Sequence, residues 1–261
     1  MFNNKEYWES RLQGNYDLIG VGDISLSINY NIWSYKVSER VIKRLVKKYT
    51  DKIANKKALD IGSGTGFVVG ILDSLGRDVT GIDITATAVN NLSQKYPQYK
   101  FIEFDMGAGK LDIPDNTFGC ATAASVLYHI VDDEALDITL QNIHRVLVKD
   151  GIFIFSDNFI HSSSLNITHQ KCRTLDEYET FLRKNNFEII DRVPNYVLMN
   201  DPIDAQSKFF PRIWNRTTRY SRKYKFLDSV IWRMLYPIEL LLVSVMKESP
   251  AQELMICKAI K

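Results

Sequence analysis

A glycine-rich turn between an apolar run and a helix is the feature that most constrains this chain. Residues 58–67 have the sequence ALDIGSGTGF, and a second apolar segment, GIDI at residues 81–84, follows about one strand–helix–strand repeat later. Glycine tolerates the backbone angles and the close approach that such a turn needs, so Gly62, Gly64 and Gly66 allow backbone N–H groups to face a ligand. This pattern predicts an α/β domain that binds a nucleoside.

An acid and a bulky residue narrow the choice of nucleoside. Asp83 ends the second predicted strand, where a carboxylate can accept hydrogen bonds from both hydroxyls of a ribose. The dinucleotide pattern G-x-G-x-x-G requires a glycine where this chain has Phe67. A bulky residue at that helix start disfavours a pyrophosphate close to the helix N-terminus. The sequence therefore predicts an adenosine-type ligand other than a dinucleotide.

The segment DIGSGTGF, followed by GIDI, resembles the class I S-adenosylmethionine-dependent methyltransferases. The resemblance covers residues 56–160 strongly and the flanks loosely. It implies that the glycine loop holds the methionine part of S-adenosylmethionine, that the acid binds its ribose, and that the product is S-adenosyl-L-homocysteine. The implied cofactor-binding residues are Asp60, Gly62, Ser63, Gly64, Gly66, Phe67, Asp83, Ile84, Asp105, Met106 and Ser125.

Two later strand ends fit the same family. Residues 101–106 are predicted to form a third strand that ends in a polar residue and a flexible methionine, which suit the edge and the face of an adenine ring. Asp105 and Met106 are the expected adenine contacts, although a solvated acid beside a core methionine is the alternative. Ser125 leaves a fourth strand of small residues, and the resemblance places it near the transferred methyl group.

Tyr128 and His129 directly follow that fourth strand, at the sheet edge where open α/β folds place their chemistry. Histidine has an ordinary pKa near neutrality, so His129 could take a proton from an attacking hydroxyl or amine, or simply hydrogen-bond to the acceptor. We predict catalytic and substrate-binding roles for His129, assisted by Tyr128. A purely structural histidine is the alternative.

The order of predicted elements indicates an α/β fold with a doubly wound, seven-stranded Rossmann-like sheet. Six strands are expected to be parallel and the last antiparallel. The predicted strands are 56–61, 77–83, 99–104, 118–124, 152–157, a strand from 187 and 253–259. The predicted helices are 66–75, 86–95, 133–147 and one that Thr174 caps and that ends near Lys184.

Three regions are predicted: an N-terminal helical and aromatic extension over residues 1–50, a core over 51–199 and 251–261, and a helical insertion over 200–250. In methyltransferases with such an extension, the segment covers the cofactor and the substrate. By this resemblance Tyr30 is a catalytic and substrate-binding candidate and Asn31 a substrate contact. Packing against the sheet is the alternative for both residues.

The insertion contains a basic segment, residues 208–225, without an acid. Three interpretations compete: a solvated helical face, a lid that binds an anionic substrate through Arg216 and Arg219, and a surface for nucleic acid or a membrane. The apolar run that follows, residues 226–246, is interrupted by charged residues and a proline. A helical cap, or contact with a second subunit or a membrane surface, is therefore favoured over a transmembrane helix.

Composition agrees with a cytoplasmic enzyme. The 261 residues carry a formal net charge of +2, which disfavours a nucleic-acid-binding domain. The three cysteines are far apart and suggest neither a disulfide framework nor a metal site. The first residues lack the basic-then-apolar order of a signal peptide. The oligomeric state is left open.

These observations predict an O-directed methyltransferase for a small polar acceptor, anionic and either phosphorylated or from a saccharide pathway. The aromatic extension and the basic insertion resemble methyltransferases of bacterial capsular polysaccharide pathways, including those that methylate phosphoramidate groups. The alternatives are N-methylation, a dinucleotide oxidoreductase, an RNA methyltransferase and a non-catalytic or membrane-associated S-adenosylmethionine-binding scaffold.

Overall fold

Short apolar strands alternate with amphipathic helices, and this alternation produces a mostly parallel sheet with helices on both faces. The computed structural model describes residues 3–167 and 169–261. The strands are β1 (Lys57–Ile61), β2 (Asp78–Asp83), β3 (Lys100–Glu103), β4 (Phe118–Ala124), β5 (Leu147–Asp157), β6 (Leu165–Ile167), β7 (Gln170–Cys172), β8 (Phe187–Pro194) and β9 (Glu253–Ala259). The helices are α1 (Asn4–Gly14), α2 (Leu18–Val21), α3 (Ile28–Thr50), α4 (Phe67–Ser74), α5 (Ala86–Lys95), α6 (Asp133–Val146), α7 (Leu175–Lys184), α8 (Phe209–Lys223) and α9 (Lys225–Val245).

The main sheet has the strand order β3-β2-β1-β4-β5-β9-β8. Strands β1 to β5 pair in parallel, whereas β9 runs antiparallel to both of its neighbours, β5 and β8. Six strands are therefore parallel and the last one in the chain is antiparallel. This arrangement confirms the predicted doubly wound, Rossmann-like sheet.

Some strand limits differ from the predicted ones. β5 begins at Leu147 rather than at 152, because Leu147 pairs with Phe118 before the register shifts and Ile152 pairs with Cys120. The small antiparallel hairpin of β6 and β7 was not predicted. The predicted cap of α7 is confirmed, since Thr174 accepts a hydrogen bond from the backbone N–H of Glu177 and the Glu177 carboxylate accepts one from the N–H of Thr174.

Alternate residues of each strand pack on opposite faces of the sheet, as the two-residue period of a strand requires. On β5, Phe153 and Phe155 join a core built with α6 and α7. Ile152 and Ile154 point the other way and join a second core built with α3, α4 and α9. Burial of one such side chain is worth about 1.5–3 kcal/mol, so both faces stabilise the sheet.

Helices α1 to α3 fall within the predicted extension, and α8 and α9 fall within the predicted insertion. The division into three regions stays a prediction, but the extension and insertion contact each other directly. The Asp228 carboxylate on α9 accepts hydrogen bonds of 2.8 Å from Ser27 Oγ and of 2.8 Å from Asn29 Nδ2 at the start of α3. Helix α9 is thereby held against α3, the helix that precedes the first strand of the sheet.

Candidate active site

The strand order places a cavity at the carboxyl edge of the sheet. From β1 the sheet continues to β2 and β3 on one side and to β4 and β5 on the other, so the loops after β1 and β4 diverge. Open α/β sheets bind their ligands at this point. A cavity of about 1160 Å³ lies there, lined by the loops after β1 to β4 and by residues of α1 and α3. Single-ligand sites typically measure ~300–1,000 Å³, so this cavity can hold two small molecules side by side.

The loop after β1 adopts the conformation for which its glycines are needed. Gly62 and Gly64 have φ values of +68° and +50°, in the left-handed region. The N–H groups of Gly62 and Ser63 donate to the carbonyl of Ile82 at 2.8 and 3.1 Å. A Cβ on Gly62 would lie 2.4 Å from Cγ2 of Val126. The loop backbone therefore lies close against β2 and β4, and Gly62, Ser63 and Gly64 all line the cavity.

Gly66 precedes α4 and Phe67 is its first residue, but the two residues line different pockets. Gly66 lines a shallow neighbouring depression rather than the main cavity, and its Cβ would lie 2.6 Å from Cδ2 of Leu92. A glycine is needed at this position because a side chain would collide with Leu92 of α5. Phe67 lines the main cavity and packs edge-to-face on Tyr35, with ring centroids 4.6 Å apart.

Asp60, at the end of β1, lines the cavity with an incomplete set of hydrogen bonds. Its side chain is 1% exposed, and Oδ1 accepts a hydrogen bond of 2.8 Å from the Thr122 hydroxyl. Oδ2 has no hydrogen-bond partner in the part of the chain that the structure describes. Burial raises the pKa of Asp60 to about 7, against the opposing effect of the Thr122 hydroxyl. Such an atom is costly unless a ligand supplies a donor or a cation.

Asp83, at the end of β2, has a second role that the sequence analysis missed. Its Oδ2 accepts the N–H of Gly64 at 2.8 Å, and Oδ1 accepts the N–H and hydroxyl of Thr85 at 2.9 and 2.6 Å. Burial raises the pKa of Asp83. A carboxylate oxygen has two lone pairs, so Asp83 can fix the glycine loop and still accept hydrogen bonds from a ligand. Ile84 lies beside it in the cavity wall.

The loop after β3 brings two further predicted residues to the cavity. Met106 is buried in the core and lines the cavity with part of its side chain. Asp105 is exposed, and its Oδ1 accepts the N–H of Gly107 at 2.9 Å. The pair supplies one polar and one apolar contact at the same edge of the site.

Ser125 leaves β4 in an unusual conformation. Its φ is +59°, which residues other than glycine rarely adopt, and such strain is often found at functional sites. Its N–H donates to Ser156 Oγ at 2.8 Å, and its hydroxyl accepts from Gln252 Nε2 at 3.2 Å. Gln252 also lines the cavity, from the segment just before β9. Sequence reasoning missed it because it is 127 residues from its partner.

His129 lies in a short 3₁₀ turn after β4 and lines the cavity. Its Nδ1 is 3.1 Å from the carbonyl oxygen of His169. A carbonyl can only accept, so Nδ1 carries the proton in the neutral ring and Nε2 carries the lone pair. Burial lowers the pKa of His129 to about 4, which corrects the expectation of a group that titrates near neutrality. The imidazole is a neutral hydrogen-bond acceptor at pH 7.

Tyr128 lines the same wall and its pKa is raised by burial. It therefore stays protonated at neutral pH and can donate a hydrogen bond. Its ring centroid is 4.4 Å from that of His129, so the two predicted residues form one aromatic unit.

Tyr30 and Asn31 border the cavity, but their polar groups have other partners. The Tyr30 hydroxyl donates to the carbonyl of Met199 at 3.0 Å, and its ring packs on Trp232 at 4.9 Å. Asn31 Oδ1 accepts the N–H of Asp23 at 2.9 Å, and Nδ2 donates to the Asp23 carbonyl at 3.0 Å. These contacts favour the packing interpretation over the predicted catalytic and substrate-binding roles.

Arg216 and Arg219 lie on the exposed face of α8 and do not line the cavity. The structure therefore does not support their predicted contact with a substrate. The amphipathic period of α8 explains their position, because the helix turns Trp214 and Thr218 inward and its arginines outward.

Helix α1 covers the cavity and supplies residues that the sequence analysis did not select. The Trp8 ring packs edge-on against His129 at 4.9 Å. Arg11 lies over the Trp8 ring at 5.0 Å and donates to the carbonyl of Gly22 at 2.5 Å. Asn4 Nδ2 donates to the carbonyl of His129 at 2.7 Å. The resemblance predicted that the N-terminal extension covers the site, but it did not single out these residues.

The charges of the lining do not favour an anion. The acidic residues are Asp23, Asp60, Asp83, Asp105, Asp132 and Asp201, and the basic residues are Lys5 and Arg11. Lys5 is already paired with Glu103 at 2.6 Å. Burial lowers the pKa of both lining histidines, His129 and His169. The lining therefore carries excess negative charge, opposite to the charge expected around an anionic acceptor.

Residues 59–155 match the family described as "Methyltransferase domain". This stretch runs from β1 to the end of β5 and contains the glycine loop, Asp83 and His129. The match covers less than half of the chain, and the N-terminal helices and the α8–α9 insertion lie outside it. A comparison with curated proteins finds no match.

Solved structures share the fold. The 1,6-didemethyltoxoflavin-N1-methyltransferase of Burkholderia thailandensis, with bound S-adenosylhomocysteine, is 16% identical over 100% of this chain and 92% of its own, with a TM-score of 0.58. The O-methyltransferase of a trans-AT PKS multienzyme of Brevibacillus brevis, in complex with S-adenosyl-L-homocysteine, is 17% identical over 84% and 71%, also with a TM-score of 0.58. The 4+2 cyclase SpnF is 18% identical over 85% and 80%, with a TM-score of 0.56. The two methyltransferase structures contain S-adenosylhomocysteine, and together with the domain match they agree with the cofactor prediction, S-adenosylmethionine.

Two features are absent from the described ranges. None of their helices is both long and apolar enough to cross a membrane. No group of three or more His, Cys, Asp or Glu side chains in those ranges is arranged to hold a metal ion.

Proposed function

We propose that this protein is a methyltransferase that uses S-adenosylmethionine to methylate a small polar acceptor, with oxygen as the nucleophile. One observation carries the proposal. The unpaired Oδ2 of Asp60, the glycine loop and a neutral His129 line a single cavity at the switch point of a methyltransferase domain.

The residues present fit this cofactor. The unpaired Oδ2 of Asp60 provides an acceptor for an ammonium group. Asp83 has remaining lone pairs for ribose hydroxyls. Asp105 and Met106 offer a polar and an apolar contact for the adenine. The positive φ values of Gly62 and Gly64 bring the loop backbone against the same space.

In the proposed mechanism the protein contributes alignment and exclusion of water. S-adenosylmethionine supplies, when bound, a methyl group on a positively charged sulfur. The apolar part of the cavity wall around the reacting groups is formed by Trp8, Phe67 and Tyr128, and helix α1 covers the cavity. Holding two reactants in line in a dry site supplies most of what a displacement at carbon needs.

His129 receives the proton of the acceptor. Its Nε2 lone pair accepts a hydrogen bond from the acceptor hydroxyl because Nδ1–H is used by the His169 carbonyl. An acceptor oxygen that gains the methyl group, as its bond to sulfur breaks, would become strongly acidic; Nε2 would take its proton and lose it to solvent when the products leave. A pKa of about 4 keeps the imidazole deprotonated over the whole neutral range. A weak base suffices because the proton leaves an oxygen that is already being alkylated.

The acceptor is proposed to be small and polar. The acid-rich lining favours a neutral or cationic molecule over the anionic one expected from sequence. A phosphorylated or capsular-polysaccharide acceptor rests on the sequence resemblance alone. A cytoplasmic location rests on the three cysteines, which are buried as free thiols.

Two other functions each have one supporting observation. N-methylation is supported by the similarity over the whole chain to a protein named an N-methyltransferase. A reaction without methyl transfer is supported by the similarity to SpnF, which is named a cyclase. The same fold can host O-methylation, N-methylation and a reaction without methyl transfer, so turnover assays are needed to distinguish them.

The test combines binding with turnover. Calorimetry with S-adenosylhomocysteine should show binding, and NAD should not bind. Panels of small alcohols, sugars and amines are then screened for S-adenosylhomocysteine formation. Turnover with alcohols supports the proposal, turnover with amines alone supports N-methylation, and binding without turnover on any panel supports the third function.

His129→Ala should lower kcat by roughly 10²–10⁴-fold, the usual contribution of a positioned base, and leave S-adenosylhomocysteine affinity unchanged. The wild-type kcat should be flat between pH 6 and 8, because the pKa of about 4 lies well below that range. His144→Ala is the matched control, since His144 Nε2 donates to the Ile260 carbonyl at 3.0 Å and lies outside the cavity lining. Full activity of His129→Ala would refute its role.

A further inference from the structure

Six large apolar side chains form an exposed stripe along α9. They are Phe226, Val230, Met234, Ile238, Leu241 and Val245, and each is between 48% and 75% exposed. Their spacing of three or four residues places them on one face of the helix. The opposite face is buried and includes Trp232 and Val243. Single exposed apolar residues are common, but a continuous row along 21 residues indicates an interaction surface.

The neighbouring helix α8 presents a basic face. Its exposed cations are Arg212, Arg216, Arg219 and Arg222, again spaced by three or four residues, then Lys223, with exposed Lys208 and Lys225 at the two ends. No acid occurs in residues 208–225. Within the described ranges none of these seven cations forms an ion pair. Their charge is therefore available to an external anion.

Aromatic residues connect the basic face to the apolar stripe. Helices α8 and α9 are joined by Tyr224 alone. Its ring centroid lies 6.1 Å from that of Tyr220 on α8 and 6.2 Å from that of Phe226, the first residue of the stripe. Lys223 Nζ lies 5.1 Å from the centroid of the Tyr224 ring. The basic and apolar surfaces thus meet at this junction.

We propose that α8 and α9 dock this protein peripherally on an anionic lipid bilayer. The cations of α8 would contact lipid phosphates, and the α9 stripe would enter the boundary between headgroups and acyl chains. A basic surface beside a row of exposed apolar and aromatic side chains is the combination that interfacial helices use. Helix α9 would lie in the membrane plane, since it is not apolar enough to cross it.

Charge favours the bilayer over a second copy of this chain. A symmetric dimer places the same patch of both subunits together, so the unpaired cations of two α8 helices would approach each other. A nucleic acid would match the cations but would leave the apolar stripe exposed. Only an anionic surface with an apolar interior satisfies both parts.

The buried side of α9 holds the stripe in place and links it to the cavity. Glu239 accepts the N–H groups of Val197, Leu198 and Met199 at 2.6, 2.9 and 3.1 Å. The next residues, Asn200 and Asp201, line the cavity. Substitutions on the exposed side of α9 touch none of these contacts and should leave the fold intact.

Vesicle co-sedimentation of the full chain tests the proposal. The wild type should pellet with phosphatidylcholine vesicles that contain phosphatidylglycerol, should not pellet with phosphatidylcholine alone, and should bind less tightly as salt rises. Each cation near an anionic surface contributes about 1 kcal/mol, roughly fivefold in affinity. Arg216→Gln/Arg219→Gln should therefore weaken binding roughly 25-fold. Met234→Ser/Leu241→Ser should weaken it by at least about tenfold, because two buried apolar side chains are lost.

Matched controls lie elsewhere on the surface. Lys52→Gln/Lys149→Gln removes two exposed cations, and Ile190→Ser/Ile260→Ser removes two exposed apolar side chains, without touching α8 or α9. Both controls should bind vesicles like the wild type. S-adenosylhomocysteine affinity should be unchanged in all four variants, which separates this proposal from the proposed enzyme activity.

Three results would overturn the proposal. The first is absence of wild-type binding to phosphatidylglycerol vesicles, and the second is normal binding by both the α8 and the α9 variants. The third is a stable wild-type dimer in solution that Met234→Ser/Leu241→Ser dissociates, which would identify a second copy as the occupant of the stripe.

Discussion

A buried carboxylate with one unpaired oxygen costs free energy in the ligand-free protein, and a ligand can offset that cost. Asp60 and Asp157 end two strands of the same sheet and are both almost fully buried, with pKa values that burial raises to about 7. Their partners differ. Asp157 accepts hydrogen bonds from the Tyr178 hydroxyl and the N–H of Asn158, whereas Asp60 Oδ2 has no partner among the described residues. A ligand in the cavity can therefore supply the hydrogen-bond donor that Asp60 Oδ2 lacks.

Asp60→Asn should weaken S-adenosylhomocysteine binding about 10- to 150-fold, because a hydrogen bond to a charged group is worth about 1.5–3 kcal/mol. It should not lower the melting temperature at pH 8, because the substitution removes a buried charge without a counter-ion. Asp157→Asn is the matched control, since it alters an equally buried acid outside the cavity lining and should leave affinity unchanged. Calorimetry measures both, and equal affinities for wild type and Asp60→Asn would exclude the proposed contact.

At the scale of elements, α9 acts as a clamp on the segment between β8 and the insertion. The Glu239 carboxylate is fully buried and receives three backbone N–H groups from residues 197–199. Burial raises the pKa of Glu239, and those three donors oppose the rise. The Tyr30 hydroxyl donates to the Met199 carbonyl in the same segment, so α3, α9 and the cavity wall are connected.

Glu239→Gln should destabilise the protein by about 1–3 kcal/mol. A glutamine has one acceptor oxygen in place of two, so at least one buried N–H loses its partner, which carries a penalty of that size. Glu39→Gln, an exposed change of the same chemistry on α3, should have little effect. Urea unfolding of the two variants compares them, and equal stability would mean that the clamp contributes nothing.

The strands and helices of the sheet domain could be predicted because their signals are local, and the predicted cofactor residues rest on equally local signals. The glycine loop and Asp83 are read from adjacent residues, and strand ends bring such residues to one edge. The hairpin of β6 and β7 escaped prediction because each of its strands has only three residues. Trp8 and Gln252 escaped because their positions depend on contacts with residues more than a hundred positions away. The Tyr30 hydroxyl is bonded to the Met199 carbonyl and the arginines of α8 lie outside the cavity lining, and residue type alone does not reveal either fact.

At the scale of the whole molecule, buried groups make stability depend on pH in opposite directions. Burial raises the pKa of Asp60 and of Asp157 to about 7, so in the folded state they bind protons at a pH where the unfolded chain does not. Lowering the pH through 7 therefore stabilises the fold through these two acids. Burial lowers the pKa of His129 to about 4, so the same change destabilises the fold below the ordinary histidine pKa. The total dependence is a difference between these contributions.

A substitution that removes only the acids isolates their contribution. Asparagine does not titrate, so Asp60→Asn/Asp157→Asn should be more stable relative to the wild type at pH 8 than at pH 5. The difference in unfolding free energy between the variant and the wild type should decrease by about 1–3 kcal/mol per group from pH 8 to pH 5. The decrease arises because the wild-type carboxyls take up their protons, and each pKa unit is worth 1.36 kcal/mol. Urea unfolding at the two pH values measures it, with Asp115→Asn, an exposed acid, as the control. If this difference in unfolding free energy does not change with pH, the two carboxyls have the same pKa in the folded and unfolded chain. Burial of the Asp60 charge would then cost no free energy that a ligand could offset.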